Sequence, residues 1–210
     1  MTKLKISKTI AGKTAVKAFL AVALLAGPAV GSAGDVSASG VKATAAPVMT
    51  DNLAKFGLKK AMDLPVTLES EGLSYTLHKI MIYDFKSPEV KKLQKMYGFQ
   101  DSTDIIDSPK YFIWTKVTIE NKTNKKMHGG GNDIKASIPL TFATGKMTDA
   151  IWPKKLASKT NSKEALWTYS LKPGEKITSY IGYVYNGEFD HFVIRMFYGK
   201  NYVEKFVVPE

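Results

Sequence analysis

The chain has 210 residues, no cysteine, 30 basic and 19 acidic side chains, and a formal net charge of +11 at neutral pH. Once an atypical N-terminus is set aside, that length leaves room for one domain of about 150 residues, large enough to bury a core without disulfide or metal, and the missing cysteines exclude the disulfide-stapled secreted classes. Arg195 is the sole arginine, so the guanidinium fork that reads base edges is nearly absent, and no nucleic-acid partner is expected.

Residues 1–33 read as a secretory signal peptide. Lys3, Lys5, Lys8, Lys13 and Lys17 stand with no acid among them, an apolar run from Ala18 to Ala26 follows, and Gly27 and Pro28 break it before small residues take over. A membrane-spanning helix needs about 20 apolar residues, so this run predicts cleavage rather than a transmembrane anchor. Gly31-Ser32-Ala33 places the cut before Gly34, with Val36-Ser37-Ala38 as a second option. No cysteine follows for lipidation. Loss of the five signal lysines leaves 25 basic against 19 acidic residues. That moderate lysine excess suits solubility, or loose attraction to a polyanionic cell wall. The expected location is extracellular, and the expected producer is a bacterium.

Residues 34–63 begin small and polar with no apolar period, which predicts a flexible tail ahead of a domain over 64–210. Leu64 to Glu69 reads as a short strand. Leu73 to Tyr83 reads as a longer one, with Leu73, Tyr75, Leu77, Met81 and Tyr83 on one face and Gly72 marking a turn or bulge before it. Ser87-Pro88-Glu89 supplies an N-cap, a first-turn proline and an early acid, and Val90, Leu93, Met96 and Tyr97 repeat at helical spacing until Gly98. Gln100 to Pro109 reads as a loop carrying Asp101, Asp104 and Asp107, without the ligand and glycine spacing of a helix-loop-helix calcium site.

Lys110 to Glu120 is the strongest strand signal, alternating Tyr111, Ile113, Thr115, Val117 and Ile119 with a second set. Further strands are expected over Ile134 to Phe142, Lys146 to Trp152, Ala165 to Leu171, Ile177 to Tyr185, Phe189 to Tyr198 and Tyr202 to Val208. A turn at Lys172-Pro173-Gly174-Glu175 and a hairpin around Gly199-Lys200-Asn201 connect the later ones. Seven or more strands with one helix predict a mainly β, antiparallel, immunoglobulin-like sandwich with a short inserted helix.

Three segments carry a resemblance: Val117-Thr118-Ile119-Glu120-Asn121-Lys122-Thr123, Ser137-Ile138-Pro139-Leu140-Thr141-Phe142-Ala143-Thr144-Gly145, and Leu171-Lys172-Pro173-Gly174-Glu175 followed by an aromatic strand. Over about Val66 to Val208 the chain resembles the immunoglobulin-like domains of unknown function in exported Gram-positive proteins. The resemblance implies a cell-envelope or secreted binding module and brings no catalytic residues with it. Two features depart from that pattern: many relatives are lipoproteins, and the helix near Ser87 looks like an insertion.

No nucleophile elbow, zinc-protease helix, phosphate loop or dinucleotide fingerprint occurs. His78, His128 and His191 share no metal-ligand spacing, and no cofactor is expected. Met127-His128-Gly129-Gly130-Gly131-Asn132-Asp133 is the most unusual run. Its three glycines predict a mobile loop that a ligand could approach, flanked by His128, Asn132 and Asp133; a plain strand connection is the competing reading. Trp152, Trp167, Tyr169, Tyr180, Tyr183 and Tyr185 cluster in the later strands, and Tyr180 and Tyr183 are the candidates for an exposed aromatic face. The expected function is a noncatalytic binding module for a wall polyanion, a glycan or an envelope protein. The alternative is a hydrolase acting on wall or glycan through scattered carboxylates such as Asp104, Asp107, Asp133 and Glu188.

Overall fold

A computed structural model describes residues 46–210. The expected signal segment and the first part of the expected tail lie outside the described residues. The rest is mainly β, as two antiparallel sheets that share one hydrophobic core. The first sheet is built from β1 (Val66–Ser70), β2 (Leu73–Asp84), β3 (Tyr111–Asn121), β7 (Asp149–Ala150) and β9 (Lys176–Tyr185), in the order β1-β2-β3-β9-β7. The second contains β5 (Leu140–Ala143), β6 (Lys146–Met147), β10 (Phe192–Tyr198) and β11 (Asn201–Val208), in the order β11-β10-β5-β6. A small separate ladder pairs β4 (Met127–Gly129) with β8 (Tyr169–Leu171).

Strand alternation places Ile113, Val117 and Ile119 of β3, Ile177, Ile181, Tyr183 and Tyr185 of β9, and Phe142, Phe192, Ile194 and Met196 of the second sheet in the shared core. Full burial of each such side chain is worth about 1.5–3 kcal/mol. The alternate residues of β3 face outward, where Phe112 and Trp114 form a second core with Tyr83, Val184 and the helix α1 (Pro88–Tyr97). Beyond that cover the same face turns polar, and Thr118 Oγ1 bonds His78 Nε2 at 2.7 Å and Thr178 Oγ1 at 2.7 Å. α1 forms as its sequence dictates: Ser87 Oγ accepts the Val90 amide, Pro88 occupies the first turn, Gly98 ends the helix at φ 76°, and Val90, Leu93 and Tyr97 are buried.

Four expectations need correction. First, part of the segment expected as a flexible tail is integral to the domain. Leu53–Phe56 forms a 3-10 turn, Leu53 and Leu58 are buried in the shared core, and the Ala61 amide donates to Val207 O at 2.9 Å. Apolar side chains at Met49, Leu53, Phe56 and Leu58 favour burial over solvation. The domain therefore begins ahead of residue 64.

Second, Met81 and Tyr83 do not share the face of Leu73, Tyr75 and Leu77. The pairing of β2 with β3 shifts between Leu77 and Lys79, so Ile80 and Ile82 turn into the shared core while Met81 and Tyr83 go to the outer one. One extra residue at a bulge inverts the alternation.

Third, the glycine run is not a mobile loop, and Ile134–Phe142 is not one strand. Met127–Gly129 is β4, Gly131–Ser137 is a second helix, α2, and the strand starts only at Leu140. The glycines serve close packing: a Cβ on Gly129 would lie 2.4 Å from the Tyr169 ring, and one on Gly131 1.9 Å from the Trp167 ring. Both rings lie directly on bare backbone.

Fourth, the later strands are shorter than expected. Lys146 to Trp152 splits into β6 and β7, which belong to different sheets, and β8 covers only the end of the expected Ala165 to Leu171 strand.

Candidate ligand-binding cleft

The packing of Trp167 over Gly131 builds a cleft with both aromatic and polar walls. Trp167 follows the 160–166 connection and Trp152 follows β7, and the two indoles stack with centroids 6.1 Å apart at 26°. Trp152 keeps 39% of its surface exposed, unusual for the largest apolar side chain. Around the pair, Gln100, Ser102, Thr103 and Asp104 come from the loop after α1, and Asn132 and Lys135 from α2. Ala150 and Ile151 complete a cleft of about 350 Å³. The Lys135 ammonium lies 3.4 Å from Asp149 Oδ2, a carboxylate almost fully buried behind it, which holds the lysine at the cleft edge. Lys154 Nζ stands 5.9 Å from the centroid of Trp152. An apolar aromatic surface bordered by two amides, two hydroxyls, one carboxylate and one ammonium matches a small polar ligand with an apolar face.

Only part of the expected site lies here. Asn132 lines the cleft, and Gly131 supports it from beneath. Asp133 instead turns back, its Oδ2 accepting the Gly130 amide at 2.7 Å, which closes the first turn of α2. His128 is exposed on β4 opposite Ser170, and Gly129 is buried under Tyr169.

The expected aromatic face of β9 does not exist as an exposed surface. Tyr183 is 1% exposed, and its hydroxyl donates to Ile138 O at 3.1 Å in the core. Tyr180 is half-buried and stacks on Trp114 at 5.3 Å and 9°. Tyr183 faces the shared core and Tyr180 the outer one, so both faces of this central strand are covered.

The carboxylates of the hydrolase reading disperse. Asp104 lines the tryptophan cleft, while Asp107 lines a separate open cleft with Asp84 and Asp101. Glu188 is exposed, and its backbone carbonyl accepts the Tyr185 hydroxyl at 2.6 Å. Among the described residues, no group of three or more histidine and acidic side chains is placed to hold a metal ion. His78 is bonded to Thr118, and His191 is buried 3.7 Å from Glu210. No helix of the described residues is long and apolar enough to cross a membrane.

The polar residues missed by sequence reasoning are Gln100, Ser102, Thr103 and Lys135, which have no local signal. The tryptophans did carry one. Trp152 precedes Pro153 at the end of a strand run, where burial on both sides is less enforced than at the centre of β9.

No family sequence model matches the chain, and no curated protein matches it. Among solved structures it is similar to the yjhA protein from Bacillus subtilis, at 13% identity and a TM-score of 0.39, over 62% of this chain and 76% of that one. It is also similar to a functionally unknown protein from Listeria monocytogenes EGD-e, at 11% identity and a TM-score of 0.41, over 68% of this chain and 80% of that one.

Proposed function

We propose that the protein is an exported, noncatalytic binding module whose tryptophan cleft takes a sugar ring of an envelope glycan. The observation that carries this reading is the stacked, partly exposed Trp152 and Trp167 pair beside Asn132, Gln100, Thr103 and Asp104. Indole faces take the apolar C–H face of a pyranose, while amide, hydroxyl and carboxylate groups take its hydroxyls. Two-carboxylate hydrolysis finds little support in this cleft, since Asp104 is the one carboxylate lining it. Export is supported by the lysine-led, apolar and then small-residue pattern of residues 1–33, and a noncatalytic envelope role accords with the resemblance to exported immunoglobulin-like domains.

The test is titration of the purified protein with short neutral oligomers of glucose and of N-acetylglucosamine, followed by tryptophan fluorescence and calorimetry. Saturable binding lost in Trp152→Ala and in Trp167→Ala, with folding intact, supports the reading. Binding that survives both substitutions, or no binding to any oligomer, overturns the cleft as a sugar site. Export is checked separately by the N-terminal sequence of the protein recovered outside producing cells, where an intact Met1 to Ala33 segment counts against it.

A further inference from the structure

Two lysine groups far apart in sequence meet beside the cleft. Lys91, Lys92 and Lys95 sit on α1, around a shallow groove floored by Met96 and Tyr97 and lined by one acid, the exposed Glu164. Lys154 and Lys155 belong to the 3-10 turn Lys154–Leu156, which docks on the end of the same helix. The docking is close: a Cβ on Gly98 would lie 3.0 Å from Lys155 Cγ, and Lys155 Nζ donates to Lys95 O at 2.6 Å. Among the described residues, none of these five lysines forms a salt bridge. Like charges one helical turn apart, as at Lys91 and Lys95, oppose folding slightly. The one acid lining the groove, Glu164, lies 4.0 Å from Lys159 instead and forms no ion pair with these lysines.

The ridge also leads to the cleft. Lys154 stands beside the Trp152 ring, and Gln100, which lines the cleft, follows Gly98 by two residues. We propose that this lysine face and the tryptophan cleft together bind an acidic polysaccharide, its sugar ring on the indoles and its repeating anionic groups along Lys91, Lys95 and Lys154. This rests on the cleft reading above and names the class of glycan. Lysine suits the task, since a flexible, hydrated point charge tracks a mobile polyanion without demanding fixed geometry. The sole arginine is committed elsewhere, donating to Glu204 Oε2 at 3.0 Å and Thr141 Oγ1 at 3.1 Å, which favours a polysaccharide over a nucleic acid.

The experiment compares polygalacturonate, neutral dextran of matched length, inorganic polyphosphate and a single-stranded thymidine polymer, binding to the purified protein at two salt concentrations. We expect polygalacturonate to bind more tightly than dextran and to lose roughly tenfold or more in affinity between 50 and 200 mM salt, as counterion release from several lysines requires. The double charge reversal Lys91→Glu with Lys95→Glu, at exposed sites, removes most of that advantage and leaves binding of short neutral oligomers unchanged. The milder Lys91→Gln with Lys95→Gln gives an intermediate loss. Polygalacturonate binding that is indifferent to salt or to both lysine variants overturns the proposal while leaving the cleft reading in place. Charge-reversed protein that loses the polymer, with Trp152→Ala binding it normally, overturns the joint site and leaves a polyanion site on the lysines alone. Binding of polyphosphate or the thymidine polymer as tight as that of polygalacturonate overturns the sugar specificity.

Discussion

Asn52 acts as a strand substitute on the edge of β2: its Nδ2 donates to Ile82 O at 2.6 Å, and its Oδ1 accepts the Ile82 amide at 2.9 Å. The pairing with β1 ends at Leu77, so among the described residues the edge of β2 beyond it has no strand partner. Its backbone groups are buried and need partners, and one amide side chain satisfies both. The same segment seats Leu53 and Leu58 in the core, which ties the N-terminal approach to both sheets.

Asn52→Ala removes both bonds and leaves the buried N–H and C=O of Ile82 unpaired. We expect a loss of about 2–4 kcal/mol in unfolding free energy, measured by urea denaturation. A change within about 0.5 kcal/mol of wild type would show that this segment is not part of the cooperative fold.

Gly131→Ala puts a methyl where the Trp167 ring lies, 1.9 Å from its nearest atom. The ring must swing out, at about 1–3 kcal/mol for an overpacked site, and the stack with Trp152 opens. The expected readout is a shifted tryptophan emission together with weaker binding of neutral oligomers. Unchanged emission and binding would mean that the cleft does not depend on this contact.

Asp104→Asn separates binding from catalysis in the tryptophan cleft. In a binding module the substitution alters one hydrogen-bonding group, worth about 0.5–1.5 kcal/mol, so affinity falls no more than about tenfold. Prolonged incubation of the wild-type protein with oligosaccharides then releases no new reducing ends. Release that Asp104→Asn abolishes would establish the hydrolase reading instead.

Burial pushes the hydroxyls of Tyr83, Tyr169 and Tyr185 up to about 12, with nearby acids adding to the shift, Glu89 at Tyr83 and Asp190 and Glu188 at Tyr185. The unfolded chain ionises near pH 10. Above that pH the unfolded state holds fewer protons than the folded one, so stability falls as pH rises. The contribution of these groups is complete below about pH 10 and is lost across pH 10 to about 12, at about 1.4 kcal/mol per pH unit for each proton difference. Denaturation midpoints across this range, paired with tyrosinate absorbance, check it. Tyr185→Phe should flatten the slope; an alkaline limb of unchanged steepness would mean that Tyr185 does not contribute to it.

Much of the fold was legible because its signals are local. The cap, first-turn proline and stopping glycine of α1 lie within twelve residues, and the alternation of Lys110 to Glu120 is continuous, so both survive in the structure almost to the residue. The glycine run at 129–131 was misread because glycine reports only that a side chain is missing. It does not say whether solvent or an aromatic ring fills the space, and here Tyr169 and Trp167, about forty residues away, fill it.

By itself the sequence determined the β character, the position of α1, the near absence of arginine and the presence of unusual aromatics and lysines. Only the tertiary structure decided which of these are surface. Tyr183 and Trp152 are both aromatic residues in strand-like surroundings, yet one is sealed between two sheets and the other stands at a cleft. The difference lies in which distant segments pack over each position. Burial is a property of those neighbours, and the meeting of Lys95 with Lys155 or of Asn132 with Trp167 depends on chain crossings that no local pattern encodes.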